Sequence, residues 1–116
     1  MRVLLDENLD HALRKLSGHH VVVTTSYMGW AGLQNGALLR AAEDNGIDVL
    51  PTGDQTIEDE PSLIGRRLAI VALSDIRLPI LKNHLAEIIA AIDHAVPGSF
   101  QAVDCGTFSR KKITPP

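Results

Sequence analysis

Acidic side chains follow three of the four apolar segments within the first 75 residues of the chain. Asp6 and Glu7 come directly after the run Val3-Leu4-Leu5, Asp54 follows IDVLPT, and Asp75 follows RRLAIVAL. If these segments are parallel strands of one sheet, their carboxyl ends meet at the same edge and bring the acids together. Each acid taken alone also fits a helix cap or a turn.

The expected clustering of carboxylates indicates a bound cation. Two like charges 4 Å apart repel by about 4 kcal/mol at an effective dielectric constant of 20, whereas a helix cap stabilises a protein by only about 1 kcal/mol. A hard divalent cation with oxygen ligands removes this repulsion, and a donor set without thiolates favours Mg²⁺ or Mn²⁺. Such an ion polarises a phosphoryl oxygen and activates water. The pattern therefore predicts metal-assisted phosphodiester hydrolysis.

Asp6 and Asp54 are the main candidates for catalytic metal ligands, because they follow the two strands expected at the centre of the sheet. Glu7 points away from Asp6 if the chain is extended, so it is either a further ligand or a solvent-exposed residue. Asp75 is a fourth candidate ligand. Thr52 can form a hydrogen bond with a carboxylate or with a metal-bound water.

Four more residues are predicted to support this site. Arg77 lies near Asp75 in the sequence and can steer a phosphate towards the acidic edge. Trp30 lies in a glycine-flanked loop and can contact substrate, although a loop tryptophan also commonly covers the core. Asn8 and Asn35 can cap the helices that follow them.

Strands and helices must alternate to place these residues at one edge. Apolar or β-branched runs predict five strands, at residues 2–5, 19–26, 47–52, 66–73 and 99–105. Helical spacing of apolar residues predicts helices, at residues 9–16 (ended by Gly18), 35–45 and 79–92. Loops or irregular crossovers are expected at 27–36 and 55–65. The prediction is an α/β fold, a three-layer α/β/α sandwich with a mostly parallel central sheet.

The composition fits one domain and argues against several classes of protein. A chain of 116 residues can bury one hydrophobic core. Hydrophobic residues make up 45% and aromatic residues 3%, so aliphatic side chains must fill that core. A formal net charge of −3 argues against strong non-specific binding of nucleic acid, while a local basic patch can still hold a small RNA. The single cysteine, Cys105, excludes an internal disulfide.

Location and assembly are also predicted from these patterns. The sequence shows no signal-peptide layout and no apolar stretch near the ~20 residues that cross a membrane, which predicts a cytoplasmic protein without membrane association. The last predicted helix is more apolar than one face of a sheet requires. This excess predicts either a homodimer or the docking of a partner protein through that helix.

Three segments within residues 1–97 carry a likeness to a known family: RVLLDENL, GWAGLQNGALLRAAEDNGIDVLPTGDQTI and RRLAIVALSD. They resemble the small PIN-like proteins related to the ribonuclease toxins of bacterial toxin-antitoxin pairs. The resemblance implies a PIN-like domain over residues 1–106, followed by a basic tail at 107–116. It also implies that Asp6 and Asp54 bind Mg²⁺ or Mn²⁺, that RNA is the substrate, and that a small antitoxin-like protein is the partner.

The chain departs from the family pattern on one helix. The pattern usually reads N-G-E-L-L, with the glutamate facing the metal, whereas this chain has Ala37 at that position. Asp44 lies two helical turns away, about 10 Å, which is too far to replace the missing carboxylate. Either Glu7 or Asp75 completes the site, or metal binding is weakened.

Two other functions stay open on the sequence alone. A catalytically weak or inactive PIN-like scaffold, acting only through a binding partner, follows from the altered helix. A phosphoacceptor receiver domain also places an acid pair after its first strand, an aspartate after the third and a hydroxyl after the fourth, as Asp6-Glu7, Asp54 and Ser74 do here. That class needs a lysine directly after the fifth strand, and Lys111 falls several residues late.

Overall fold

The structure is a computed structural model that describes residues 1–16, 20–33, 35–54, 57–63 and 65–105. The predictions for Gly18, for Lys111 and for the tail at 107–116 lie outside these residues. Five strands form one all-parallel sheet in the order β2-β1-β3-β4-β5. Their bounds are β1 Arg2–Leu5, β2 Val21–Thr24, β3 Val49–Thr52, β4 Ala69–Leu73 and β5 Phe100–Val103. The predicted α/β fold with a mostly parallel sheet is confirmed at this level.

The first strand lies between β2 and β3, as the central placement of Asp6 and Asp54 requires. Leu5 lies opposite Thr24 on one side of β1, and Val3 lies opposite Val49 on the other. The chain therefore leaves β1 for one neighbour and later returns to its other side. In doubly wound sheets such a reversal of strand order opens a crevice beyond the carboxyl ends of the strands.

Helices and short turns connect these strands in the described ranges. The helices are α1 Leu13–Leu16, α2 Thr25–Met28, α3 Asn35–Asp44, α4 Leu78–Lys82 and α5 Leu85–Asp93. Two 3-10 turns, Ile57–Asp59 and Pro61–Leu63, lie in the connection to β4, where an irregular crossover is predicted. None of the helices in the described part of the chain has the length and hydrophobicity to span a bilayer.

Apolar side chains pack on both faces of the sheet. Val3 and Leu5 belong to a core cluster that includes residues of α5, whereas Leu4 between them packs into a second cluster with Leu39 of α3. This alternation follows from the period of two along a strand. Strands covered on both faces need continuous apolar runs, which explains segments such as AIVAL in β4.

The apolar character of the C-terminal helix is explained by packing within the monomer. Ile88, Ala91 and Ile92 of α5 are buried in the first core cluster. The predicted single helix at 79–92 is wrong, because His84 leaves the helical region at φ −122° and divides α4 from α5. The homodimer or partner docking predicted from this helix stays a prediction.

Two further predicted boundaries are wrong because local side chains form turns. The first helix begins at Leu13 rather than at residue 9, since the Asp10 carboxylate accepts a hydrogen bond from the Ala12 N–H at 2.8 Å and stabilises a turn. The loop predicted to begin at residue 27 begins only after Met28, because Thr25–Met28 form a helical turn. The Thr24 hydroxyl accepts from the Tyr27 N–H at 3.1 Å and caps this turn.

Glu43 connects α3 to the segment before β4. Its carboxylate accepts a hydrogen bond from the Arg67 backbone N–H at 2.6 Å and pairs with the Arg66 guanidinium at 3.3 Å. Arg66 and Arg67 therefore precede β4, which begins at Ala69, and do not open the strand as predicted. The hydrogen bond from the Arg67 backbone, followed by one from the Leu68 backbone and then by the charge of Arg66, holds the pKa of Glu43 below its ordinary value, although partial burial opposes them.

The substitution Glu43→Gln is expected to lower the free energy of unfolding by about 1 kcal/mol at pH 7, because hydrogen bonds to a partly exposed carboxylate become weaker. The native pKa is lowered, so this contribution is fully present above the unfolded-state pKa and is lost as the pH falls through the native pKa. Urea titrations from pH 7 downwards check this. The exposed neighbour gives the control Asp44→Asn, and a stability difference that persists in strong acid contradicts the prediction.

Candidate functional site

A cleft of about 670 Å³ opens at the carboxyl ends of β1 and β3. This is the position expected where the strand order reverses. Polar residues and apolar residues share its lining, which comprises Asp6, Glu7, Asn8 and Asp54 together with Gly32, Leu33, Leu38, Leu39, Leu50 and Ile57. The structure therefore brings the two principal candidate carboxylates to one cavity.

Thr52 links Asp6 to Asp54. Its hydroxyl donates a hydrogen bond to Oδ2 of Asp6 at 2.5 Å and accepts one from the backbone N–H of Asp54 at 3.0 Å. Thr52 is fully buried at the end of β3. The other Asp6 oxygen, Oδ1, accepts from the Glu7 N–H at 2.7 Å. Each oxygen of the Asp6 carboxylate thus keeps a lone pair for a further ligand, while its orientation is fixed.

The backbone of β3 also holds Asp6 in place. Pro51 lies inside the middle strand, opposite Val71 of β4, although proline removes a donor from a strand. Its carbonyl oxygen accepts a hydrogen bond from the Asp6 N–H at 3.2 Å. The strand continues past Pro51 and ends at Thr52, the predicted last residue. The ends of β1 and β3 are therefore joined by backbone and side-chain contacts.

Asn8 joins the end of β1 to the turn after β3. Its Oδ1 accepts a hydrogen bond from the Gly53 N–H at 3.3 Å. The prediction that Asn8 caps the first helix is wrong, because α1 begins only at Leu13. Gly53 is required at this turn, since a Cβ there would lie 2.1 Å from Cγ2 of Ile76. Three strand ends are thus packed closely beside the cleft.

Glu7 holds the glycine-rich loop against the cleft. Its Oε1 accepts a hydrogen bond from the Gly32 N–H at 2.8 Å. Gly32 has a φ of 91°, a backbone conformation that favours glycine. Glu7 is exposed and lines the cleft, so its position agrees with both of the roles predicted for it. Through this hydrogen bond, the Glu7 carboxylate sets the position of the loop that carries Leu33.

Asp75 and Arg77 form an ion pair after β4. Arg77 Nε lies 3.0 and 3.1 Å from the two carboxylate oxygens, and Nη2 lies 2.5 Å from Oδ2. Hydrogen bonds to Asp75, and then its charge, raise the pKa of Arg77 further. Asp75 is buried, whereas Arg77 is exposed, and the cleft lining includes neither residue. The structure does not place the predicted fourth ligand among the carboxylates of the cleft.

Trp30 and Asn35 lie outside the set of described cleft residues. The Trp30 side chain packs partly buried against the second core cluster, and the Trp30 backbone N–H donates a hydrogen bond to the Thr25 carbonyl at 2.8 Å. This agrees with a tryptophan that covers the core. Asn35 begins α3, as predicted, but its side chain is not among those described. Ala37, where the family pattern has glutamate, is exposed.

The oxygen donors of the cleft suit a hard divalent ion. Mg²⁺ is commonly held by one or two protein carboxylates, with waters and substrate phosphates completing its coordination. Considering only the described residues, no group of three or more His, Cys, Asp or Glu side chains is arranged to hold a metal ion. Asp6 and Asp54 both line the cleft, so this pair of carboxylates would supply the protein ligands of such an ion.

The apolar part of the lining was missed by sequence reasoning. Leu38, Leu39 and Leu50 are buried core residues that also reach the cleft. A leucine in a helix or strand gives no sign that one of its sides borders a cavity.

Similarity to other proteins adds nothing to this description of the cleft. Comparisons of the chain with protein-family models, with curated proteins and with solved structures each found no match.

Proposed function

We propose that the protein is a metal-dependent ribonuclease with a PIN-like architecture, acting as the toxin component of a toxin-antitoxin pair. The carrying observation is the hydrogen-bonded series Asp6, Thr52 and Asp54 at the mouth of a cleft where the strand order reverses. Helices on both faces of a parallel sheet, and the three segments that resemble PIN-like proteins, support the proposal. Under it, the partner is a small antitoxin-like protein.

Each residue then has a distinct role. Asp6 and Asp54 would hold Mg²⁺ or Mn²⁺, which when bound supplies Lewis acidity towards a phosphoryl oxygen and activates water. Thr52 fixes the orientation of the Asp6 carboxylate and holds the Asp54 backbone. Glu7 keeps the loop containing Gly32 beside the cleft. Together these contacts orient charged groups before substrate arrives, which lowers the cost of reaching the transition state.

The test is cleavage of a labelled RNA by the purified protein. We expect cleavage with Mg²⁺ or Mn²⁺, no cleavage with EDTA, and recovery when the metal is restored. Manganese is also expected to raise the melting temperature, since an ion that binds only the folded state stabilises it by RT ln(1 + [L]/Kd). Cleavage that persists in EDTA contradicts the proposal. Absence of both cleavage and stabilisation favours the inactive scaffold.

A phosphoacceptor domain is the second candidate, because the strand order β2-β1-β3-β4-β5 is that of flavodoxin-like folds, which include such domains. The residues Asp6, Asp54 and Ser74 lie at the corresponding strand ends. The Ser74 hydroxyl, however, accepts a hydrogen bond from the Cys105 N–H at 2.7 Å, so it is engaged with the segment after β5. Incubation with acetyl phosphate separates the two candidates, since only a phosphoacceptor gains one phosphoryl group by mass spectrometry.

A further inference from the structure

We infer that Asp75 and Arg77 form a phosphate-binding site beside the cleft. Arg77 binds a phosphate of the nucleic-acid backbone, and Asp75 positions the Arg77 side chain. This deepens the proposed function and rests on it. It assigns Asp75 a role different from metal ligation, and it identifies the recognised group as a phosphodiester rather than a base.

The contacts of Arg77 leave one edge of its guanidinium group available. Asp75 takes the Nε hydrogen and one hydrogen of Nη2. The guanidinium has five N–H donors in a planar fork, so three remain, two of them on Nη1. Among the described residues, Nη1 of Arg77 donates to no protein acceptor, and the side chain is 59% exposed. The remaining donors match the paired oxygens of a phosphate.

The carboxylate of Asp75 is suited to hold this fork in place. Its side chain is only 7% exposed, and it also accepts the Arg77 backbone N–H at 2.9 Å. The arginine is therefore held by its main chain and its side chain at once. An arginine that is already ordered loses less rotamer freedom on binding a phosphate than a free one does.

The position of the pair connects it to the proposed catalytic residues. Ile76, between Asp75 and Arg77, packs against Gly53, where an added Cβ would lie 2.1 Å from its Cγ2. Gly53 in turn lies between Thr52 and Asp54 in the chain. Strand β4 pairs with β3, with Ala72 opposite Thr52. The segment after β4 therefore lies beside the turn after β3. A phosphate on Arg77 is thus adjacent to the acidic end of the sheet.

This arrangement fits recognition of a phosphodiester chain without regard to sequence. The cleft carries acids that repel phosphates in the absence of a cation, and the protein is acidic overall. A single oriented cation next to such a cleft gives the substrate one favourable contact and sets its direction. Contacts to phosphate position a nucleic acid but carry no information about its bases.

The test measures binding of a fluorescein-labelled RNA by anisotropy in EDTA, where no cleavage takes place. We expect Arg77→Gln to weaken binding about tenfold and to reduce the slope of log affinity against log salt by about 1. Arg77→Lys should keep the salt slope but lose part of the affinity, because it lacks the fork. The control Arg14→Gln removes an exposed arginine from α1, away from the cleft lining.

Asp75 is tested in the same assay. Asp75→Asn is expected to weaken binding in the wild-type background and to have no further effect when combined with Arg77→Gln. It should leave the manganese-dependent rise in melting temperature unchanged. A purely structural pair would change the melting temperature without changing the salt slope, and that result overturns the inference. Additive effects of the two substitutions, or no RNA binding by the wild type, also overturn it.

The outcomes separate this inference from the nuclease proposal. If RNA binding depends on Arg77 but metal-dependent cleavage is absent, the nuclease proposal fails and the phosphate site stands. If the wild type cleaves RNA and Arg77→Gln cleaves it with an unchanged KM and an unchanged salt slope, the phosphate site is overturned and the nuclease stands.

Discussion

The substitution Asp6→Asn is expected to reduce metal-dependent RNA cleavage by about 100-fold or more, equivalent to roughly 2.7 kcal/mol of transition-state stabilisation. Asparagine keeps the size of the side chain but removes the negative charge that would hold the cation. It also cannot reproduce both hydrogen bonds of the carboxylate, since one of its two polar ends donates where the native oxygen accepts from Thr52 or from the Glu7 N–H.

Cleavage rates at saturating Mn²⁺ check this expectation, and the matched control is Asp48→Asn. The Asp48 carboxylate accepts a backbone hydrogen bond from Arg2 at 2.9 Å, at the amino-terminal edge of the same two strands. The Asp48→Asn variant therefore loses a comparable contact far from the cleft. Equal losses of activity in the two variants would show that the effect comes from the fold. Wild-type cleavage by Asp6→Asn would refute the metal site.

Two of the buried threonines, Thr52 and Thr25, are expected to respond to substitution by valine in opposite directions. Thr52 and Thr25 are 0% and 1% exposed. The Thr52 hydroxyl bonds both Asp6 and Asp54, so Thr52→Val leaves two polar groups without this partner and should cost about 1–3 kcal/mol. Within the described structure the Thr25 hydroxyl has no hydrogen-bond partner, so Thr25→Val should be neutral or stabilising by about 1 kcal/mol.

Urea denaturation of both variants measures this difference, and the cleavage assay measures its functional consequence. We expect Thr52→Val to lower cleavage about tenfold, the lower end of the range found when a residue that orients a metal ligand is removed. Thr25→Val should cleave at the wild-type rate. Thr52→Ser, which keeps the hydroxyl and loses a methyl group, should retain cleavage despite some loss of stability. Destabilisation of equal size in both valine variants would contradict the assigned hydrogen bonds.

The strands and the central pair of carboxylates could be predicted from the sequence because both follow from local patterns. A short apolar run such as Val3-Leu4-Leu5 has few alternatives to a buried strand. Parallel alternation with helices then places Asp6 and Asp54 at one edge. The structure confirms that β1 and β3 are neighbours and that Thr52 contacts a carboxylate.

The contacts that shape the cleft could not be predicted, because they join segments far apart in the chain. Asn8 has the local pattern of a helix cap, yet it bonds Gly53, 45 residues away. Glu7 bonds Gly32, 25 residues away, a contact that depends on how the loop folds back. Asp75 is predicted as a ligand because it follows a strand, and the sequence alone does not reveal that its carboxylate pairs with Arg77, two residues on.

The hydrogen bond between Asp6 and Thr52 has a consequence for the growing polypeptide. Its two residues are 46 positions apart in the chain, and Val3 of β1 likewise pairs with the distant Val49 of β3. Closing so long a loop costs entropy that is repaid only when both strands are present. During translation Asp6 is therefore made early, whereas Thr52 at the end of β3 is made 46 residues later. The acidic edge is completed only when β3 pairs with β1, because that pairing brings Thr52 and Asp54 to Asp6.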